Sequence, residues 1–165
     1  MGRNRVINLD DTGWKILSEL QQNPRIPYRE IGRRVNLSCS SVLERIRRME
    51  EEGIIQNYQV VLDALKIGYT IQAIIKIKFY SLNDEEILLE KLKSNAYVRQ
   101  LWVTTGESDF IMETVFPAME GMNDFLVMLG KHGRTFSSIV IDKPIFNAQL
   151  YPPARMAGRS QPGRA

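Results

Sequence analysis

The chain has 165 residues, room for one domain or two small ones, with 44% hydrophobic and 25% charged side chains, an ordinary water-soluble composition. A net charge of only +3 does not imply a large polyanion-binding surface, so any contact with nucleic acid depends on where the arginines sit. One cysteine and no Cys/His cluster exclude an internal disulfide and a zinc site, and no apolar run approaches the roughly 20 residues of a membrane span.

The N-terminus, MGRNRVINLDD, lacks the apolar core of a signal peptide, so a cytoplasmic chain with no metal and no cofactor is expected. Asp10 or Asp11 is placed to start a first helix running to about Gln22, with Ile16, Leu17 and Leu20 inward and Asn23–Pro24 closing it. Trp14 reads as a packing residue at the edge of this unit. A second helix covers 27–35 (PYREIGRRV), with Ile31 and Val35 inward and Arg29, Arg33 and Arg34 outward. After Asn36 and Leu37 comes LSCSSVLERIRRMEEEG. Ser38 is a helix-start residue, while Ser41 and Glu44 repeat the capping-box spacing one turn later, so either serine can mark the start. Gly53 supplies the left-handed stop.

At about 100° per residue, Val42, Ile46 and Met49 form a buried stripe with Leu43 on its flank. Ser41, Arg45 and Arg48 fall together on another face, with Ser40, Glu44 and Arg47 beside them. Two short helices joined by a tight turn read as a helix-turn-helix, whose second helix enters the major groove while the first crosses the backbone. Arginines on both helices suit that division, some neutralising phosphates and some reading base edges. A solvated face is the bland alternative. The candidate DNA-binding residues are Arg29, Arg33, Arg34, Ser38, Ser40, Ser41, Glu44, Arg45, Arg47 and Arg48, with Arg45 or Arg48 suited to a guanine edge and Arg33 and Arg34 to phosphates.

Leu9–Asp10, the run ILSEL at 16–20, Arg25–Ile26 and LSCSSVLERIRRMEEEGII together resemble the helix-turn-helix of the Lrp/AsnC (leucine-responsive, asparagine-type) transcription regulators. The family usually carries an aspartate where Gly13 stands and prolines where Cys39 and Ser41 stand. The first departure costs helix propensity on the order of 1 kcal/mol and the second removes a pre-set φ angle; neither touches the basic face.

Beyond Gly53, IIQNYQVVLD reads as a strand or linker, with Ile54 and Ile55 packing back on the third helix; the resemblance makes this segment part of a dimer contact. From Tyr69 the period changes to two: Ile71, Ala73, Ile75, Ile77 and Phe79 share one face, and Gln72, Ile74, Lys76, Lys78 and Tyr80 the other. Asn83 or Asp84 is expected to cap a helix to about Ser94 with Ile87, Leu88 and Leu92 inward. Strands are expected over 97–105 and 109–116 around the turn Gly106, Glu107, Ser108. Pro117 opens a helix to about His132 built on Met119, Met122, Phe125, Leu126 and Leu129, and 137–146 is the last strand. The order βαββαβ is the ferredoxin-like split βαβ arrangement. The expected fold class is therefore α+β, an N-terminal three-helix helix-turn-helix domain joined to a C-terminal ferredoxin-like domain. Ile74, Trp102 and Tyr80 are candidates for the sheet's helix-free face, which suggests a sheet-to-sheet dimer.

TTGESDFIMETVFPAME is similar to the turn of the same family's amino-acid-binding (RAM) domain, with Gly106 and Asp109 kept and Glu107 departing. The resemblance implies an effector, an amino acid, bound at an interface between dimers. Its candidate residues are Thr104, Thr105, Gly106, Glu107 and Asp109 at the turn, with Met119, Thr135, Ser137 and Ser138. Backbone N–H groups of a turn suit a carboxylate, and Asp109 suits an ammonium; the bland alternative is a hairpin glycine and a capping aspartate. The expected division is 1–53 for DNA binding, 54–68 as linking strand or hinge, 69–148 for effector binding and oligomerisation, and 149–165 as a disordered, acid-free tail.

His132 reads as a helix-end cation and Cys39 as a residue packed in the turn, with a redox role the lesser alternative. The expected function is a sequence-specific transcription regulator modulated by a small molecule. It would bind a roughly palindromic double-stranded operator as a homodimer, assembling to a tetramer or octamer. A low-specificity architectural DNA-binding protein is the alternative. A decarboxylase of the same architecture is disfavoured because one histidine and no second base make a poor proton-transfer site.

Overall fold

Asp10 starts the first helix by accepting the Gly13 N–H on its carboxylate at 2.7 Å. The computed structural model describes residues 7–145 and 148–153. Its elements are α1 (Asp11–Gln22), α2 (Tyr28–Val35), α3 (Cys39–Glu51), a short 3-10 turn (Leu65–Ile67), β1 (Ile71–Phe79), α4 (Leu82–Lys93), β2 (Val98–Val103), β3 (Phe110–Phe116), α5 (Met119–Gly130) and β4 (Gly133–Ile139). None of the described helices is long and apolar enough to cross a membrane. The chain divides into two units, Met1–Val60 with Ile145–Ala165, and Val61–Pro144.

In the first unit, Ile16 and Leu20 of α1, Ile26, Ile31 of α2, and Val42, Ile46 and Met49 of α3 form one buried cluster. Between the serines, Ser38 is the cap of α3: its hydroxyl accepts the Ser41 N–H at 3.1 Å. Gly53 turns left-handed (φ 71°), and the N–H groups of Ile54 and Ile55 return to the Met49 carbonyl at 2.8 and 3.1 Å. Those two isoleucines pack on the cluster, while residues 56–63 take no regular structure.

The α2–α3 turn is made by Asn36, left-handed at φ 58°, and by the Leu37 N–H, which donates to the Gly32 carbonyl at 2.9 Å. A Cβ on Gly32 would lie 2.5 Å from the Leu37 carbonyl oxygen, so the helices close this tightly only over glycine. Of the expected tail, residues 149–153 are described. The Gln21 side-chain amide donates to the Leu150 carbonyl at 3.2 Å and accepts the Leu150 N–H at 2.7 Å. Residues 154–165 lie outside the described residues.

The second unit is a four-stranded sheet in the order β2-β3-β1-β4, every neighbour antiparallel. Ala73, Ile75 and Ile77 of β1 and Phe110, Met112 and Phe116 of β3 bury one face against Leu88 and Leu92 of α4 and Met122, Phe125 and Leu129 of α5. The opposite face carries a row across all four strands: Trp102 lies opposite Ile111, Ile111 opposite Lys76, and Lys76 opposite Phe136. Trp102 and Phe136 remain 41% and 48% exposed.

Several expectations are corrected here. The cap of α4 is Ser81, whose hydroxyl donates to Asp84 at 2.7 Å, rather than Asn83 or Asp84. The inward stripe of α4 is Leu88 and Leu92; Ile87, about 100° away from Leu88, is exposed, as is Met119 at the first position of α5. The last strand begins at Gly133 and ends at Ile139, instead of spanning 137–146. A glycine is required where it starts, since a Cβ there would meet the Lys78 carbonyl oxygen at 2.4 Å. The polar run RTFSSI hides an edge strand that only pairing with β1 makes regular.

Candidate functional site

On α3 the buried stripe turns Ser40, Glu44, Arg47 and Arg48 fully outward, with Ser41 and Arg45 half-buried beside them. The Ser38 hydroxyl lies 2.9 Å from that of Ser40 and 2.8 Å from that of Ser41, so the serines form a knot at the helix start. Arg29, Arg33 and Arg34 are exposed on the adjoining α2. The fold therefore collects all ten candidates on two consecutive elements.

Electrostatically the face is not a bare cation patch. Glu30 accepts from Arg33 through two bonds (3.1 and 2.9 Å) and from Arg34 at 2.9 Å, and Arg34 also donates to Glu19 of α1. These two guanidinium groups, Arg33 first, lower the Glu30 carboxyl to about 2. Arg45 places one nitrogen 3.0 and 2.9 Å from the two oxygens of Asp10, 35 residues earlier. The Gly13 N–H and then Arg45 hold Asp10 below the usual carboxylate range. Arg47 pairs with Glu51 at 3.2 Å and Arg48 with Glu52 at 3.0 Å, one turn on. Among the described residues Arg29 alone of the six arginines has no carboxylate partner.

The turn between β2 and β3 is closed by its own atoms. The Thr104 N–H donates to the Asp109 carbonyl at 2.7 Å and its hydroxyl to the Ser108 carbonyl at 2.7 Å, while Gly106 adopts φ 104°. Asp109 accepts from Lys78 at 2.6 Å on one oxygen and from the Phe79 N–H at 2.8 Å on the other. Lys78 first, then that N–H, hold its carboxyl below the ordinary value. Asp109 thus fixes the hairpin to the end of β1, and each oxygen keeps one lone pair for anything further.

Met119 lies beyond the far end of β3, a strand of roughly 20 Å, so one chain does not bring it to the turn. Thr135 and Ser137 lie opposite Ile77 and Ile75 on the helix-side face of β4, while Ser138, opposite Ile74, points to the open face. The effector candidates are therefore spread over both ends and both faces of the sheet.

His132 is paired as well as at a helix end: its Nδ1 lies 2.9 Å from Asp84. Cys39, expected to pack in the turn, is exposed. Sequence reasoning passed over Asp10 as an arginine partner, Glu30, Gly32 and Lys78. Glu30 was findable from its spacing of three and four to Arg33 and Arg34. The others depend on contacts between elements.

Comparisons with known proteins agree with this geometry. Residues 9–56 match the family of winged helix-turn-helix DNA-binding domains, and residues 72–150 match the Lrp/AsnC ligand binding domain. The leucine-responsive regulatory protein of Rhizobium meliloti is 33% identical over 123 residues, covering 73% of this chain and 79% of that protein. The HTH-type transcriptional regulator LrpA of Bacillus subtilis is 28% identical over 135 residues, 82% of this chain and 99% of that protein. Among solved structures, a Neisseria meningitidis transcriptional regulator in complex with L-methionine superposes with a TM-score of 0.81 at 25% identity, covering 90% and 99% of the two chains. Escherichia coli AsnC superposes with a TM-score of 0.78 at 23% identity, covering 88% and 100%.

Proposed function

We propose a mode of action for this chain, which belongs to the Lrp/AsnC family of transcription regulators: it reads DNA through α2 and α3 and is modulated by an amino acid held on its ferredoxin-like unit. The relatives carry the names of a leucine-responsive regulatory protein and of HTH-type transcriptional regulators, which supports a regulator over an enzyme. The observation that carries the reading is the α2–α3 turn closed over Gly32, which presents ten polar and basic candidates on the two helices of a DNA-reading motif. In this reading α3 enters the major groove with Ser40, Ser41, Glu44, Arg45, Arg47 and Arg48, and Arg29, Arg33 and Arg34 hold phosphates.

Residues 54–68 act as the hinge between the working parts, 1–53 and 69–148. The L-methionine bound by the Neisseria relative supports an amino-acid effector. A single chain separates Met119 from the Thr104–Asp109 turn, so the effector site is completed by a second copy. The row Trp102, Ile111, Lys76 and Phe136 on the open sheet face supports a sheet-to-sheet homodimer, which then assembles further. Such a dimer acts in the cytoplasm on a roughly palindromic operator.

The test is a gel shift on the DNA upstream of the protein's own coding sequence, at fixed salt, with and without each amino acid. Specific binding altered by one amino acid supports both parts of the proposal and names the ligand. Binding unaffected by every amino acid removes the effector. A preference near one over random DNA replaces the regulator with an architectural role.

A further inference from the structure

We propose that Asp10 and Glu30 are specificity-determining residues that keep Arg45 and the Arg33–Arg34 pair off the phosphates of non-cognate DNA. The inference rests on α2 and α3 being the DNA-reading elements. An exposed ion pair between two freely rotating side chains is worth little. Asp10 is not in that situation, and Glu30 has two guanidinium partners instead of one. Asp10 is anchored as the cap of α1, where the oxygen that accepts the Gly13 N–H also accepts from Arg45, and its second oxygen takes the other Arg45 contact. Glu30 is held by three guanidinium bonds from two arginines, one of them gripping both of its oxygens. Three of the six candidate arginines are thus held by two carboxylates.

Any duplex offers a dense row of phosphates, and an arginine that neutralises one releases counterions whatever the sequence. A free arginine on this face would therefore raise affinity for all DNA alike and dilute discrimination. An arginine already on a carboxylate gains only the difference between two anions. That difference becomes favourable where an operator also supplies a matched base edge or several phosphates at once. Asp10 and Glu30 are positioning residues in this scheme, acting through the arginines they hold.

The sequence contains its own control. Asp11, next to Asp10, carries the same charge, yet it bonds to no arginine among the described residues. Asn is as good a helix cap as Asp, so Asp10→Asn removes the charge on Arg45 while keeping α1 started.

The experiment titrates full-length wild type, Asp10→Asn, Glu30→Gln and Asp11→Asn with two duplexes over a range of salt. One duplex is of random sequence; the other is the tightest recovered from a random pool. For Asp10→Asn the plot of log K against log salt on random DNA steepens by about 0.9, one further phosphate. For Glu30→Gln it also steepens by about 0.9, because Arg33 loses its only carboxylate while Arg34 keeps its bond to Glu19. In both variants the selected-to-random affinity ratio falls several-fold, and the thermal midpoint of Asp10→Asn falls only slightly, since asparagine keeps α1 capped while the charge facing Arg45 is lost. The slope for Asp11→Asn does not move. Wild-type slopes in Asp10→Asn and Glu30→Gln, or equal steepening in Asp11→Asn, overturn the inference while leaving the DNA-binding reading intact. Wild type that binds neither duplex overturns both.

Discussion

Gly32→Ala separates a packing requirement from a helix preference by the sign of its effect. Alanine in an unobstructed helix interior is more stable than glycine by roughly 1 kcal/mol. At this position, however, the new Cβ would lie 2.5 Å from the Leu37 carbonyl oxygen, and that atom is backbone, unable to swing aside. Restoring an ordinary contact of about 3.5–4.0 Å demands that the turn shift by more than 1 Å. Overpacking of this kind costs typically about 1–3 kcal/mol. The shift also stretches the 2.9 Å bond from the Leu37 N–H to the Gly32 carbonyl, a further contribution of about 1 kcal/mol. Set against the propensity gain, the net change is a destabilisation of roughly 1–3 kcal/mol. For a unit of this size that is a fall in midpoint of about 4–8 °C per kcal/mol. Thermal unfolding followed by far-ultraviolet circular dichroism measures it, and DNA affinity should fall in parallel because the turn sets the angle between α2 and α3. A midpoint raised by the amount expected of an unhindered Gly-to-Ala change would refute the reasoning.

Ser38→Ala removes the side-chain bond to the Ser41 N–H and should cost about 1 kcal/mol in urea denaturation, whereas Ser41→Ala, which loses no backbone partner, should cost clearly less. Trp102→Glu replaces an exposed aromatic ring of the open sheet face by a carboxylate; if the proposed sheet-to-sheet homodimer forms there, sedimentation should show a shift toward monomer with helix and strand content retained, and an unchanged oligomer would remove this face from the interface. Glu30 has a folded pKa of about 2, below its unfolded value, so its contribution to stability is present above about pH 4.5 and is lost as pH falls toward 2. Urea midpoints measured across that window should therefore decline less steeply in Glu30→Gln than in the wild type.

The Lrp/AsnC assignment and the order of elements were legible because they rest on short-range signals. Val42, Ile46 and Met49 keep the helical period and Ile71 to Phe79 the period of two, and each predicts the buried face that the structure shows. Ser38 and Gly53 bound α3 through bonds to residues within a few positions of themselves, which is why their roles can be read without a fold. Where the local signal was weak, boundaries slipped. β4 is a polar edge strand whose start depends on Gly133 lying against the Lys78 carbonyl. The exposed Ile87 was misplaced because several apolar residues in α4 compete for one stripe.

The candidate site divides along the same line. The residue types on α2 and α3 and their outward faces follow from sequence alone, since helical geometry fixes which residues share a face. What those residues do with their charge was decided by the tertiary structure. Arg45 meets Asp10 across 35 positions, Arg34 meets Glu19 across 15, and Asp109 meets Lys78 across 31. No period or cap spans such separations; they exist because buried clusters on the far sides of the elements fix where the exposed side chains come within reach of one another. The pattern of apolar residues determined the two folds, and packing decided which carboxylate each cation would meet.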